Sequence, residues 1–403
     1  MKKRIFIAMH YMEIGGAEIS LIGLLNAIDY SRYDVDLFVY SHQGELMKMI
    51  PKEVNLLPEI PVYSYIEKPM TATIKAGYMK LVGARLWAKY KFKEYCKKYQ
   101  PKDGSAVFQY VANYVTPLLP SLNKYGKYDL AISFLTPHNI VLDKVNAKKK
   151  MAWIHTDYSK IDINVALELP IWNGYDYIAS ISKDVTTTFL STFPSLKNKI
   201  VEIRNILSPL FVRSRAKEMV DLTQMELSTE KVKLLSVGRF SEAKNFDNVP
   251  DILKRIREKG IDAYWFIIGY GGLESIIRQK IVEVGMQDYV ILLGKKENPY
   301  PYIKASDIYV QPSRYEGNSV TVREAQMLCK PIVVTNYATA KSQINDGVDG
   351  IIVPMDNEGC AAGITKFIHH VDKQRQIIEY LKSHDYGNQT EIEKVYKILT
   401  IGS

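Results

Sequence analysis

Two glutamates separated by seven residues form the strongest chemical signal in the sequence. Glu316 follows the apolar run 307–310, and Glu324 lies further on in a segment with a helical pattern. The order of strand, turn and helix places both carboxylates at one end of a crevice. Because carboxylates repel phosphates, we expect their partners to be the hydroxyl groups of a sugar or a ribose. Taken singly, each acid also fits the ordinary role of a helix-capping or solvated glutamate.

The start of the same helix predicts an anion site. The amides of Asn318, Ser319 and Val320 are expected at the helix N-terminus. Free N–H groups and the helix dipole favour a phosphate at such a position.

An arginine and a lysine follow an earlier strand pattern. Arg239 comes soon after the run 233–237, and Lys244 precedes the next helical segment. Both should project from the carboxyl end of the same sheet, where two cations can neutralise a diphosphate without a metal ion. The alternative is a pair of ordinary surface cations.

Two features of the first half also indicate a ligand. Gly15 and Gly16 lie between the first strand and the first helix and permit a backbone to approach a ligand closely, although a tight turn is the alternative. His155 ends the predicted strand 151–155. At this position a structural role and a catalytic role are about equally expected for a histidine. The glycine-rich loop 269–272 resembles a dinucleotide loop, but no acid ends the next strand, which argues against NAD.

The elements that must position these residues alternate between strands and helices. In the second half the predicted strands are 233–237, 264–268, 289–293, 307–310, 331–335 and 350–353, and in the first half 4–9, 35–40, 128–134, 151–155 and 175–181. This alternation predicts an α/β protein with two doubly wound parallel sheets. We expect an N-terminal domain of residues 1–207, with the C-terminal helix 388–403 packing back on it, and a C-terminal domain of residues 208–387.

Composition limits the classes of function. The three cysteines have no metal-ligand spacing, and no apolar stretch is long enough to cross a bilayer, so we expect a cytoplasmic protein without a metal site. Nearly all of the net charge of +9 comes from the first half, where residues 1–210 carry 27 Lys and Arg against 19 acids. In residues 68–102, ten Lys and Arg accompany one acid, Glu94, and several aromatic residues. This region predicts peripheral contact with an anionic membrane surface, with a solvated lysine-rich helix as the alternative.

Together these segments resemble the family-4 glycosyltransferases of GT-B fold, with closest likeness to the bacterial surface-polysaccharide enzymes. The resemblance rests on the spaced glutamate pair, on the Gly-Arg-x4-Lys segment 238–244 and on the Gly-Gly loop near the N-terminus, all in the family's order. It implies two Rossmann-like domains facing a central cleft. The N-terminal domain would then serve the acceptor and the C-terminal domain would bind the nucleotide sugar.

The resemblance also implies an activity and residue roles. The activity is retaining transfer of a sugar from a nucleoside-diphosphate sugar, with UDP favoured over GDP, to a saccharide or lipid-linked saccharide, with no metal and no cofactor. Arg239 and Lys244 would hold the diphosphate, Glu316 the donor sugar and Glu324 the ribose, with His155 beside the sugar. No nucleophile is assigned.

Two other functions remain as alternatives. A nucleotide-sugar 2-epimerase would share the fold and the nucleotide site, but it would turn over without an acceptor. A non-enzymatic nucleic-acid-binding protein would use the basic half, although no nucleic-acid-binding motif is present and no nucleic-acid partner is expected.

Overall fold

A computed structural model describes residues 2–13, 15–101, 104–226, 228, 230–317 and 319–400. The chain forms two compact units. Unit 1 contains residues 1–206 together with 388–403, and unit 2 contains residues 207–387.

Unit 1 is built on a parallel sheet with the strand order β3-β2-β1-β4-β5-β6-β7. Its strands are β1 (Lys3–Met9), β2 (Tyr33–Val39), β3 (Asn55–Leu56), β4 (Tyr128–Ser133), β5 (Ala147–Ile154), β6 (Tyr177–Ser180) and β7 (Ile200–Glu202). Its helices are α1 (Gly16–Ala27), α2 (Pro61–Ser64), α3 (Met70–Lys75), α4 (Met79–Tyr99), α5 (Val107–Val115), α6 (Asn139–Lys144), α7 (Val165–Asn173) and α8 (Lys183–Thr192).

The last helix of the chain also belongs to unit 1. This helix, α17, spans Ile392–Thr400. The ring of Tyr396 stacks on Tyr33 with centroids 4.4 Å apart, and its hydroxyl accepts a hydrogen bond from the amide of Asp29 at 2.8 Å. Aromatic burial and this hydrogen bond fasten α17 to the edge of the unit near β2.

Unit 2 is built on a second parallel sheet with the strand order β10-β9-β8-β11-β12-β13. Its strands are β8 (Val232–Val237), β9 (Ala263–Ile268), β10 (Val290–Gly294), β11 (Ile308–Gln311), β12 (Ile332–Thr335) and β13 (Ile351–Val353). Its helices are α9 (Pro209–Arg215), α10 (Val249–Glu258), α11 (Glu274–Val284), α12 (Tyr300–Ala305), α13 (Val320–Met327), α14 (Ala340–Gln343), α15 (Asn357–His369) and α16 (Val371–Ser383).

The sheets form because their strands are apolar on both faces. The inner residues of β1, β8 and β9 are almost entirely buried, as parallel strands covered by helices on both sides require. Every predicted strand is present, with its ends shifted by a few residues. The short strands β3 and β7 were not predicted, because neither contains a fully buried residue that would produce an apolar run.

The basic region 68–102 forms α3 and α4, apart from Lys102, which lies outside the described residues. One side of α4 is buried, and its Arg85 donates hydrogen bonds to the carbonyls of Tyr65 and Lys68 inside the unit. Arg85 is therefore a structural residue and cannot join a membrane-facing surface as its position in the basic region suggested. None of the helices within the described part of the chain has the length and apolarity of a membrane span.

Candidate functional site

The strongest candidate site lies where β8 and β11 end side by side in unit 2. The two strands are parallel neighbours, so the loops that follow them leave the same edge of the sheet. Asn245 joins these loops, because its side-chain amide donates to the carbonyl of Pro312 at 2.9 Å. Asn245 has a φ of 59°, a left-handed conformation that asparagine tolerates better than most residues.

Lys244 and Glu316 meet across this junction. The Lys244 Nζ lies 2.6 Å from Glu316 Oε1, and the side chains are only 17% and 12% exposed. The same oxygen accepts hydrogen bonds from Ser313 Oγ at 2.6 Å and from Gln311 Nε2 at 3.2 Å. A mostly buried carboxylate needs such partners, because desolvation of an unpaired charge is unfavourable. Glu316 is therefore fixed in place by three groups.

A second ion pair braces the same two loops. Arg314 makes a two-pronged contact with Asp247, with Nη1 to Oδ1 at 3.0 Å and Nη2 to Oδ2 at 2.7 Å. Its amide also donates to the carbonyl of Ala243 at 2.8 Å. This fork geometry adds rigidity to the segment that carries Lys244.

Arg239 has a different environment from Lys244. It lies two residues after the end of β8, and its side chain is exposed. No hydrogen bond or ion pair joins this guanidinium to another residue in the described part of the chain. Arg239 and Lys244 therefore both lie in the loop after β8, one exposed and the other paired.

Glu324 lies inside α13 and is almost fully buried, with 2% of the residue exposed. Its Oε1 accepts a hydrogen bond from the hydroxyl of Tyr300 at 2.8 Å. Burial raises the pKa of the Glu324 carboxyl to about 7, although the Tyr300 hydrogen bond opposes this rise. The acid therefore titrates near neutral pH.

The two glutamates share an electrostatic environment. Burial raises the pKa of Tyr309, and the charges of Glu324 and then Glu316 raise it further. Both carboxylates therefore act on the same phenol, whose hydroxyl donates to Gln311 Oε1 at 2.7 Å. The structure thus brings Lys244 and Glu316 together at the ends of β8 and β11, whereas Glu324 makes its hydrogen bond with Tyr300.

At the start of α13, one of the backbone amides expected to bind phosphate already donates a hydrogen bond within the protein. Asn318 lies outside the described residues. The amide of Ser319 is buried and donates to Gln343 Oε1 at 3.1 Å, so the expectation that this N–H is free is wrong in this structure. A phosphate would have to displace the side chain of Gln343, which comes from α14. Val320 is the first residue of α13.

Two glycines of the loop 269–272, Gly269 and Gly271, are required for packing against the loop after β8. A side chain at Gly269 would place its Cβ 1.9 Å from the carbonyl oxygen of Gly238. A Cβ at Gly271 would lie 2.6 Å from the carbonyl oxygen of Phe240. These close approaches account for Gly269 and Gly271 without a dinucleotide, whereas a Cβ at Gly272 would meet nothing within 4 Å.

Gly15 and Gly16 begin α1 in unit 1, close to the end of β1. A Cβ at Gly15 would lie 2.2 Å from Glu18 Oε2, whereas a Cβ at Gly16 would meet nothing within 4 Å. A side chain at Gly15 would therefore displace only the flexible end of the Glu18 side chain. Gly16 leaves open space beside the helix start.

His155 follows β5 directly and packs against two aromatic rings. Its ring centroid lies 4.7 Å from that of Phe134 and 6.1 Å from that of Trp153. Burial lowers the pKa of His155 to about 4, so the ring is neutral at neutral pH. Its Nε2 is buried and has no hydrogen-bond partner among the described residues. His155 can therefore offer a hydrogen bond but not a positive charge.

Sequence reasoning missed a cavity in unit 1. It has a volume of about 190 Å³ and lies where β1 and β2 end, closed by the segment that follows α2. His10 Nδ1 lies 2.8 Å from Glu67 Oε1, and the polar side-chain atoms His10 Nε2, Tyr40 Oη and Ser41 Oγ are buried without a described partner. The sequence did contain a signal for this cavity, because His10 directly follows β1 and Tyr40 directly follows β2. Ligands bind at the carboxyl ends of parallel strands.

Sequence reasoning also missed the supporting residues of unit 2. Ser313 was detectable, because it lies three residues before Glu316 in the same turn. Tyr300 and Gln343 were not detectable, because each is 24 residues from the group that it binds.

Comparison with known families identifies the C-terminal unit. Residues 221–384 match the family model described as glycosyl transferases group 1. The matched segment contains Arg239, Lys244, Glu316 and Glu324. Unit 2 is therefore similar to the glycosyl transferases group 1 domain over most of its length.

Several curated proteins are similar to parts of the chain. An uncharacterized glycosyltransferase of Methanocaldococcus jannaschii is 27% identical over 219 residues, which cover 51% of this chain and 53% of that protein. The amylovoran biosynthesis glycosyltransferase AmsK of Erwinia amylovora is 26% identical over 167 residues, which cover 36% of this chain and 41% of that protein. The chain therefore spans about half or less of the length of these relatives.

Solved structures match over nearly the whole chain. The structure of Anabaena HepE in complex with UDP has a TM-score of 0.63 at 15% identity and covers 99% of both chains. A glycosyltransferase of Rickettsia africae has a TM-score of 0.66 at 17% identity and covers 100% of both. The predicted fold class, two Rossmann-like α/β domains of the GT-B type, is confirmed.

No group of three or more His, Cys, Asp or Glu side chains with the arrangement of a metal site occurs in the described ranges.

Proposed function

We propose that the protein is a retaining glycosyltransferase that moves a sugar from a nucleoside-diphosphate sugar, with UDP as the favoured nucleotide, to a saccharide or lipid-linked saccharide in surface-polysaccharide synthesis. One observation carries the proposal. Lys244 and Glu316, 72 residues apart in sequence, meet at the carboxyl ends of β8 and β11 within the segment that matches the group 1 glycosyl transferases. A cation for phosphate and an acid for hydroxyl groups at one sheet edge suit a nucleotide sugar.

Each residue has a separate task in this proposal. Lys244 and Arg239 bind the diphosphate and stabilise the charge that develops on the departing nucleotide. Glu316 accepts hydrogen bonds from the sugar, and Glu324 accepts them from the ribose. Val320 supplies an amide to the phosphates, and His155 hydrogen-bonds a hydroxyl group as a neutral ring. No metal takes part.

Unit 1 binds the acceptor in this proposal. The cavity beyond β1 and β2 is lined by hydroxyl, imidazole and carboxylate groups, which suit a hydroxyl-rich ligand. Glu67→Gln should raise the acceptor KM and leave nucleotide affinity unchanged.

The exposed side of α4 contacts an anionic membrane in this proposal. Trp87 and Tyr90 are about half exposed, and their stacked rings lie 5.3 Å apart. Lys80 and Lys98 are exposed on the same helix. Aromatic and basic side chains together favour the membrane interface.

The nucleotide is tested first by thermal shift with UDP, GDP and ADP. A ligand at about 100 times its Kd should stabilise the protein by about 2.7 kcal/mol. The preferred diphosphate sugar is then incubated with and without saccharide acceptors. Transfer that needs an acceptor supports a glycosyltransferase, whereas conversion of the donor alone indicates a 2-epimerase. If none of the three nucleotides shifts the melting temperature, the proposed function is wrong.

Two variants separate the roles of the glutamates. Glu324→Ala should mainly weaken binding of the bare nucleotide. Glu316→Gln should reduce sugar transfer much more than nucleotide binding. Calorimetry with nucleotide alone measures the contrast, and an equal loss in both variants contradicts it.

A further inference from the structure

Tyr300 is a buried phenol to which the proposed chemistry assigns no task. Its hydroxyl donates to Glu324 Oε1 at 2.8 Å, and both residues are almost fully buried. No hydrogen bond from a residue in the described part of the chain reaches the other oxygen, Oε2. Tyr300 therefore occupies one oxygen of the carboxylate and leaves the second for another partner.

The position of Tyr300 is itself fixed by polar contacts at the start of α12. Asn298 Oδ1 accepts a hydrogen bond from the amide of Tyr300 at 3.2 Å, and the Asn298 side-chain amide donates to the carbonyl of Arg215 at 2.8 Å. Glu218 binds both the Asn298 side chain and the Arg215 guanidinium. These contacts tie the backbone of Tyr300 to the end of α9, and the ring of Phe211 in α9 packs edge-on against the phenol with centroids 6.3 Å apart.

We propose that Tyr300 is a positioning residue for nucleotide binding, which fixes the Glu324 carboxylate through Oε1 and presents Oε2 to the vicinal hydroxyl groups of the ribose. The inference rests on the proposed function, which assigns the ribose to Glu324. Two physical effects support it. A buried carboxylate that rotated freely would lose entropy on binding, and a hydroxyl donor favours the ionised form that accepts two ribose hydroxyls.

The chain offers a matched control for Tyr300. Tyr302 lies in the same helix and is similarly buried, but its hydroxyl donates to the carbonyl of Asp221 at 2.9 Å. We would measure by calorimetry the affinity of wild type, Tyr300→Phe and Tyr302→Phe for the one of UDP, GDP and ADP that binds best. Tyr300→Phe should bind about tenfold more weakly, because it loses one hydrogen bond to a charged group, and Tyr302→Phe should stay within about twofold.

A pH series distinguishes positioning from general damage to the fold. In the wild type, affinity should rise with pH as Glu324 ionises near its pKa of about 7. In Tyr300→Phe the midpoint of this rise should move to higher pH, because the donor that favours the carboxylate is gone. Tyr302→Phe should keep the wild-type midpoint.

A double-mutant cycle with Glu324→Gln completes the test. If Tyr300 acts through Glu324, Tyr300→Phe should weaken binding no further in the Glu324→Gln background. If Tyr300→Phe weakens binding further in the Glu324→Gln background, Tyr300 does not act through Glu324 and the positioning role is wrong. The positioning role is also wrong if Glu324→Gln binds weakly while Tyr300→Phe keeps the wild-type affinity and pH midpoint. Neither result contradicts the proposed function. Wild-type affinity in Glu324→Gln instead overturns the proposed ribose contact, and with it this inference.

Discussion

The ammonium group of Lys244 lies 2.6 Å from the carboxylate of Glu316, and both side chains are mostly buried. The two groups are assigned to different parts of one donor, the diphosphate and the sugar. Glu316 occupies one of the three donors of the ammonium group, so a phosphate can bind Lys244 beside Glu316 or in its place. Glu316 retains its hydrogen bonds to Ser313 and Gln311 if Lys244 turns away.

Lys244→Ala should reduce both stability and turnover, for separable reasons. It leaves the mostly buried carboxylate of Glu316 without its counter-ion, which should cost about 2 kcal/mol in the free energy of unfolding, less than for a fully buried pair. In the proposed function it also removes a cation from the leaving diphosphate, which should lower turnover about 100-fold or more.

The double variant Lys244→Ala/Glu316→Gln separates these effects. It should recover much of the lost stability in urea unfolding, because no unpaired charge remains, but it should recover no turnover. Recovery of turnover, or a single variant as active as the wild type, would contradict the assignment of Lys244.

Arg239→Ala should lower turnover without changing stability. The guanidinium is exposed, so its removal leaves no buried partner unpaired. Its proposed contact is made with the diphosphate and strengthens as the nucleotide departs, so kcat should fall about 100-fold. Steady-state kinetics together with a thermal melt measure both properties. Near-normal kcat with an unchanged melting temperature would remove Arg239 from the site.

Glu324 should make the stability of the protein depend on pH. Its pKa is raised from 4.5 to about 7 by burial, so the folded chain keeps this proton at pH values where the unfolded chain has lost it. The contribution of Glu324 to stability is therefore fully present below about pH 4.5, falls as pH rises to about 7, and is constant above that.

Glu324→Gln provides the reference for this pH dependence, because it has the same shape and does not titrate. The difference in unfolding free energy between wild type and Glu324→Gln should change by at most about 1.4 kcal/mol per pH unit between pH 4.5 and 7. Parallel stability profiles of the two proteins would show that Glu324 does not titrate in this range.

Most of the fold was predictable because parallel strands that are buried on both faces read as apolar runs bounded by turns. The acids and cations of the site were predictable for a related reason, since each follows the end of such a strand. The contacts of Tyr300 and Gln343 were not predictable, because each crosses 24 residues of sequence and depends on tertiary packing. The predicted free amide at Ser319 failed for that reason: a side chain from α14 reaches it first.

Activity should survive chelation of divalent metals. In the proposed function, Arg239 and Lys244 carry the charge that a metal would otherwise supply to the diphosphate. Transfer assays with and without EDTA should give the same rate within about twofold. Loss of activity with EDTA that returns on addition of Mg²⁺ or Mn²⁺ would show that the proposed metal-free mechanism is wrong.

Changing Lys80, Lys91 and Lys98 to Glu should abolish sedimentation of the protein with anionic liposomes. The three positions fall near one azimuth of α4 at about 100° per residue, beside the exposed ring of Trp87. Lys91 also pairs with Glu94 at 2.8 Å, an exposed contact that contributes little and can yield to a lipid headgroup.

Each lysine near an anionic surface contributes about 1 kcal/mol to the free energy of membrane binding. Three charge reversals should therefore cancel this attraction and make binding to the liposomes undetectable. The matched control changes Lys254, Lys259 and Lys366, which are exposed on unit 2, to Glu, and alters the net charge equally. This control should sediment like the wild type at low salt, and both should be released at high salt because exposed charges are screened. If the α4 variant still sediments like the wild type, α4 is not the docking surface. If the control variant also fails to sediment, the assay measures only net charge and α4 is not a specific docking surface.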